Sequence, residues 1–267
     1  MRIFISFLLS CVVAYILFLT YLYLNQRSMM YHPEGELNSL SHYSLSATEE
    51  ITLITSDGIK LQAWYRKPND NKHMVIFLHG NAGNLENRVD KLEKLIKMGY
   101  GFIIPAWRGF GKSSGKASMK GLYQDAEAAI SFIKSRDYEL ENTILIGESL
   151  GTGIAAEMAT RYRFKGLFLI TPYKSIAARA DELYPLMLAT YLTKDNFNVI
   201  DKISSINQPV LIIHGTEDNV VPCSHSEEIF TKAKEPKKMI IYPGVGHSDY
   251  DIQEVFVEMS EFFKSHQ

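Results

Sequence analysis

Ser149 stands in the run Gly147-Glu148-Ser149-Leu150-Gly151, between an apolar stretch, Ile144 to Ile146, and a helical pattern from Ile154 to Tyr162. A serine between glycines at a strand-to-helix junction has the form of a nucleophile elbow, in which a strained backbone pushes the hydroxyl clear of the sheet. Such a hydroxyl can attack a carbonyl carbon. Gly147 and Gly151 sit two residues either side, where a Cβ would collide with the neighbouring strand or helix in so tight a turn. The helix that begins here would aim backbone N–H groups, and the positive end of its dipole, at the oxyanion of an acyl-transfer intermediate. With glycine and serine each at roughly 7% of residues, the pattern arises by chance in about one chain in ten of this length. Its weight therefore rests on whether a base and an acid accompany it.

A serine hydroxyl is a poor nucleophile at neutral pH and needs both. Among eight histidines, His247 is set in Pro243-Gly244-Val245-Gly246-His247-Ser248, a glycine-rich loop directly after a strand. Read alone it is a surface histidine, as is His225 at a helix start. Asp218 lies in the turn Gly215 to Pro222, after the strand that ends at His214; a carboxylate there is ordinarily a turn-former. Order changes the weighing. Ser149, Asp218 and His247 follow one another in the sequence Ser, Asp, His, each behind its own strand, as in one known hydrolase arrangement. Asp218 would then hold the His247 imidazole in the tautomer that accepts the serine proton. The backbone amides of Asn81 and Leu150 would bind the oxyanion, at roughly 3 kcal/mol per donor. Gly80 and Gly83 let the Asn81 loop approach closely; otherwise they mark an ordinary strand-to-helix turn.

The elements that must position these residues follow from hydrophobic period. Glu50 to Thr55 and Ile59 to Tyr65 read as strands joined by an Asp57-Gly58 hairpin turn. Met74–Leu78, Gly101–Pro105, Gly166–Thr171, Pro209–His214 and Met239–Tyr242 are apolar strands. Helices are expected at about Asn87 to Met98, Ser118 to Arg136, Ser224 to Ala233 and Ile252 to Lys264. This alternation predicts an α/β fold with a mostly parallel sheet and helices on both faces. The reactive residues then belong at the carboxyl ends of strands. The stretch 172–208 is a small cap. It leaves the site open, and Tyr173, Tyr184, Leu186, Met187 and Tyr191 fit either an acyl pocket or the core.

Ahead of this, Ile3 to Leu24 is an uncharged apolar run, long enough to cross a bilayer core of roughly 30 Å as a helix. A cleaved signal peptide has a shorter apolar region of about 7–15 residues and a small-residue cleavage site. A lipoprotein reading at Cys11 conflicts with the apolar run continuing well beyond it. The best fit is one retained anchor over 1–24, a linker over 25–48 and a catalytic domain over 49–267. The charge bias between Arg2 and Arg27 places the domain on the non-cytoplasmic side. A length of 267 residues with 46% hydrophobic content suits one such domain, and a net charge of −2 gives no electrostatic case for nucleic acid. Two cysteines far apart, Cys11 and Cys223, imply no disulfide framework. No His or Cys pair has metal-ligand spacing. The lysines at 112 and 116 lack the earlier glycine of a phosphate loop.

Five motifs together carry a family resemblance: LHGNAGN at Leu78 to Asn84, RGFGKSSG at Arg108 to Gly115, GESLG at Gly147 to Gly151, GTEDNVVP at Gly215 to Pro222, and GHSD at Gly246 to Asp249. From about His42 onward the chain resembles the α/β hydrolases, and within them the membrane-anchored branch with depalmitoylating thioesterases and lysophospholipases. The resemblance implies Ser149, Asp218 and His247 as a catalytic triad, the amides of Asn81 and Leu150 as the oxyanion hole, and no cofactor or metal. It implies an ester or thioester substrate that is an acylated small molecule, a lipid or a lipidated protein. An amide hydrolase on the same triad and a catalytically idle anchored binding protein are the competing readings.

Overall fold

Runs such as Met74–Leu78, Gly101–Pro105 and Gly166–Ile170 have no polar side chain, and every residue in them is buried. Strands of this kind sit between two covering layers. The computed structural model describes residues 1–35 and 37–266. After helix α1 (Arg2–Met30) and the short β1 (His32–Pro33) come β2 (Thr48–Ile54), β3 (Lys60–Arg66), β4 (Met74–Leu78), the short β5 (Ala82–Gly83), α2 (Val89–Lys97) and β6 (Gly101–Pro105). There follow α3 (Met119–Ser135), β7 (Thr143–Glu148), α4 (Leu150–Arg161), β8 (Gly166–Ile170), α5 (Ile176–Leu183) and α6 (Ala189–Leu192). The chain closes with β9 (Val210–Gly215), α7 (Cys223–Lys232), β10 (Lys237–Tyr242) and α8 (Ile252–Ser265).

An eight-stranded sheet runs β10-β9-β8-β7-β4-β6-β3-β2. From β10 to β6 neighbouring strands are parallel, while β3 pairs antiparallel with both β6 and β2. The hairpin expected at Asp57-Gly58 makes the β2–β3 pair, with Gly58 at φ +81°. On the helical layers, α2 lies beside α8 and α3 beside α4. Because all the central strands are parallel, the ends of β4, β7, β9 and β10 share one edge of the sheet. The predicted fold is the fold observed.

Differences concentrate at the amino terminus. Helix α1 continues past Leu24 to Met30, and the residues after it are not a loose linker. Tyr31, Leu37 and Leu45 are buried, and His32–Pro33 pairs in parallel with Ala82–Gly83. Apolar side chains in an aperiodic stretch give no regular pattern, yet they bury against the domain because a groove is there to take them. Helix α1 itself has no buried residue, and its most apolar window has a mean hydropathy of 2.6. By length and composition it can cross a membrane.

Candidate active site

The backbone at Ser149 has φ 50° and ψ −117°, a conformation that costs a non-glycine residue about 1–3 kcal/mol. The turn is held open by packing. Its amide donates to the Ile170 carbonyl of β8 at 2.9 Å, and the Thr152 amide returns to the Ser149 carbonyl at 2.9 Å. A Cβ on Gly151 would lie 1.9 Å from the Leu78 carbonyl oxygen at the end of β4, and one on Gly147 would lie 2.7 Å from the Ala155 Cβ of α4. Neither site has room for a side chain. The glycines let α4 start hard against the sheet, which leaves the serine at the apex.

His247 closes over it from the loop after β10. Its Nε2 is 3.0 Å from Ser149 Oγ, and its Nδ1 is 2.6 Å from Asp218 Oδ2. Asp218 serves both of the readings open to it. Its Oδ1 accepts from the Val220 and Val221 amides, each at 2.8 Å, which shapes the turn, while Oδ2 faces the imidazole. Burial opposes ionisation of this carboxyl, but hydrogen bonds with His214 and His247 and from the Val221 amide outweigh it and hold the group well below the usual carboxylate range. A carboxylate that stays charged keeps a proton on Nδ1, so Nε2 is the acceptor that Ser149 needs.

Asn81 and Leu150 border the same cleft. Leu150 opens α4, where the first amides have no acceptor within the helix. The Asn81 loop is tied to the end of α1. Its side-chain amide donates to the Met30 carbonyl at 2.7 Å, and its own carbonyl accepts from the His32 amide at 2.9 Å.

Three features of the cleft were not readable in the sequence. First, His214, at the end of apolar β9, is fully buried and stands 3.2 Å from Asp218 Oδ2. Second, Glu148 forms a buried ion pair with Lys91 and lies 3.4 Å from Arg88 Nε; Arg88 also donates to the Ala82 carbonyl at 3.1 Å. Burial opposes its charge, but the two cations win and bring this carboxyl down to about 2. It thus fastens the serine turn to the loop that carries Asn81. Third, a cavity of about 640 Å³ opens at Ser149 and is walled by the cap and by α1. Tyr173, Tyr184 and Met187 line it, Tyr184 while half exposed, whereas Leu186 and Tyr191 are exposed and lie outside the lining. The small cap is present, but α1 covers the side of the cleft that the sequence leaves open. His225 is buried, with its ring between the Lys174 amide at 3.2 Å and Glu182 at 2.7 Å; it takes no part in the cleft.

Comparisons with known proteins agree with this architecture. A family model described as "Serine aminopeptidase, S33" matches residues 69–197. The chain is 32% identical over 238 residues to an uncharacterised protein of Mycobacterium tuberculosis, covering 88% of this chain and 84% of that protein. It is 34% identical over 216 residues to alpha/beta hydrolase domain-containing protein 17B of Homo sapiens, covering 80% of this chain and 74% of that one. Among solved structures, the Pyrococcus furiosus esterase Pf2001 superposes with a TM-score of 0.70 at 21% identity, over 89% of this chain and 98% of its own. Est1E of Butyrivibrio proteoclasticus, solved with ferulic acid bound, gives 0.68 at 25% identity, over 81% and 98%. The chain belongs to the α/β-hydrolase family.

Proposed function

We propose that this protein is a membrane-anchored serine hydrolase that cleaves carboxylic esters or thioesters through an acyl-enzyme on Ser149. The observation that carries the reading is the continuous line from Asp218 through His247 to Ser149, with contacts of 2.6 and 3.0 Å. In the first half-reaction His247 Nε2 takes the Oγ proton as Oγ bonds to the acyl carbon. The oxyanion that forms is held by the amides of Leu150 and Asn81. Its collapse breaks the bond to the alcohol or thiol, which leaves with the proton from His247. Water then gives a proton to the same nitrogen as its oxygen bonds to the acyl carbon. Collapse of this second adduct breaks the bond to Ser149 Oγ, releases the acid and returns the proton from His247 to Oγ. No metal or cofactor enters this scheme.

The esterases among the structural neighbours support ester chemistry, and the human relative is named as an α/β hydrolase domain-containing protein. The S33 family description raises the amide alternative. A carboxylate is the strongest partner for the free ammonium of an aminopeptidase substrate, and no Asp or Glu lines the cavity among the described residues. That favours an uncharged acyl group. The length and apolarity of α1 support a retained anchor, and the charge bias between Arg2 and Arg27 supports an amino terminus in the cytoplasm with residues 49–267 as the catalytic domain on the far side.

Ser149→Ala tests the proposal. Wild-type protein is expected to label with a fluorophosphonate probe and to turn over short p-nitrophenyl esters. The variant should not label and should lose about ten-thousandfold or more in kcat. Undiminished labelling would remove Ser149 from the mechanism, and an unreactive wild type would favour an idle binding protein.

A further inference from the structure

The cavity at Ser149 has an unusual wall. Phe18, Leu22, Gln26 and Met29 or Met30 recur at intervals of three or four residues, which sets them in one stripe along α1. From Phe18 to Met30 the helix advances about 18 Å at 1.5 Å per residue. Opposite stand Leu183, Tyr184, Met187 and Leu192 of the cap. Its volume of about 640 Å³ falls within the roughly 300–1,000 Å³ of small-molecule sites, and its lining takes in α1 from Phe18 to Met30 together with Asn81 and Ser149, a track along the helix.

The longest polar side chains along the track are already engaged elsewhere. Gln26 donates to the Leu192 carbonyl at 3.1 Å and accepts from the Lys194 amide at 2.7 Å. Arg179 donates to the Val220 carbonyl at 2.8 Å and to Glu182 at 3.1 Å. What remains to meet a ligand is mostly hydrocarbon. Nor is α1 a loose tether. Arg27 grips buried Asp195 through two bonds of 2.7 and 3.0 Å, and Tyr31 adds a third at 3.1 Å. Lys194 Nζ sits 3.8 Å from the centre of the Tyr23 ring.

The outer side of this assembly is apolar as well. Leu24 is 67% exposed on α1, and Leu186 and Tyr191 on the adjoining cap are 74% and 83% exposed. Large exposed apolar side chains of this kind suit lipid better than water.

We propose that the carboxyl-terminal half of α1 is one wall of the substrate site, and that its occupant is a single long, linear acyl chain drawn sideways from the bilayer between α1 and the cap. This rests on the acyl-enzyme reading of Ser149 given above. At about 1.3 Å of advance per carbon, set by a C–C bond near 1.5 Å, the track accommodates an extended chain of roughly fourteen carbons. Helix α1 thereby selects chain length, a role beyond attachment.

The experiment uses the full chain in phosphatidylcholine vesicles with p-nitrophenyl esters from butyrate to palmitate, and reads the ratio of kcat/KM for the long ester to that for the short one. Leu22→Trp, which fills the track, is expected to lower this ratio about tenfold or more. Leu22→Ala, which widens it, is expected to move the optimum toward longer chains. Leu24→Trp, on the outward side, should leave the ratio within about twofold of wild type. If Leu22→Trp proves inactive on every ester, Leu22→Ala decides. Ratios for the Leu22 variants indistinguishable from wild type would overturn the proposal while leaving the Ser149 mechanism intact. A wild type that hydrolyses no ester and takes no probe would fail the mechanism first, and this inference with it.

Discussion

One side of the cleft carries Ser149, Asp218 and His247 on loops that leave β7, β9 and β10 at a common edge. The other side is α1 and the cap from Ile176 to Asp195, and it offers a substrate almost nothing but hydrocarbon. The first side is held by strain, close packing and a buried ion pair around a parallel sheet. The second is held by a few side-chain bonds between segments far apart in the chain. On the proposed reading, reaction type and substrate choice reside in different structural materials. A rigid sheet edge keeps the reacting atoms in place, while a helix and a short cap can change their side chains without disturbing it.

Variants can break or sharpen that contrast. The largest effect is expected on the polar side, from Asp218→Asn, which leaves the geometry but fixes the wrong His247 tautomer. It should lower kcat about ten-thousandfold for short and long esters alike. A loss under tenfold, measured with p-nitrophenyl butyrate, would mean that the glycine-rich loop alone orients the imidazole.

Next comes the ion pair beneath the serine. The Glu148 carboxyl is held at about 2 against an ordinary 4.5. A depressed carboxyl adds stability that is fully present above the ordinary value and is lost as pH falls toward the folded one. The wild type should therefore lose about 3 kcal/mol between pH 5 and pH 2 through this group. Glu148→Gln should be less stable at pH 7 and should show a shallower acid limb in urea unfolding. An identical limb in both proteins would mean that the pair does not brace the turn.

The smallest effect is expected where the two sides touch. Asn81→Ala keeps the backbone amide proposed for the oxyanion but removes the side-chain bond to the Met30 carbonyl, 2.7 Å long. We expect a loss of up to about tenfold in kcat, equal for short and long esters, from a loosened loop. An unchanged kcat would mark the polar side as independent of α1.

The contrast also explains what could be read in advance. The elbow was legible because Gly147, Ser149 and Gly151 act within one turn, and the neighbouring strands because their apolar runs are short and bounded. His247 and Asp218 were legible through their loop settings and chain order. His214 was not, since a histidine ending an apolar strand looks like any strand residue until Asp218 is folded against it. Glu148 was hidden in the motif as an arbitrary residue, and its partners, Lys91 and Arg88, belong to another element.

Helix α1 is the sharpest case. A helix apolar on every side announces its affinity for lipid but encodes no preferred face, so nothing in its spacing separates Leu22, which lines the cavity, from Leu24, which faces outward. By itself the sequence determined the fold, the nucleophile turn and the order of the polar groups, because glycine sterics and strand hydrophobicity operate over a few neighbouring residues. Only the tertiary structure decided that α1 turns its Leu22 stripe toward Ser149. That choice depends on contacts such as Arg27 with Asp195, which lie 168 residues apart and meet only once the sheet has formed.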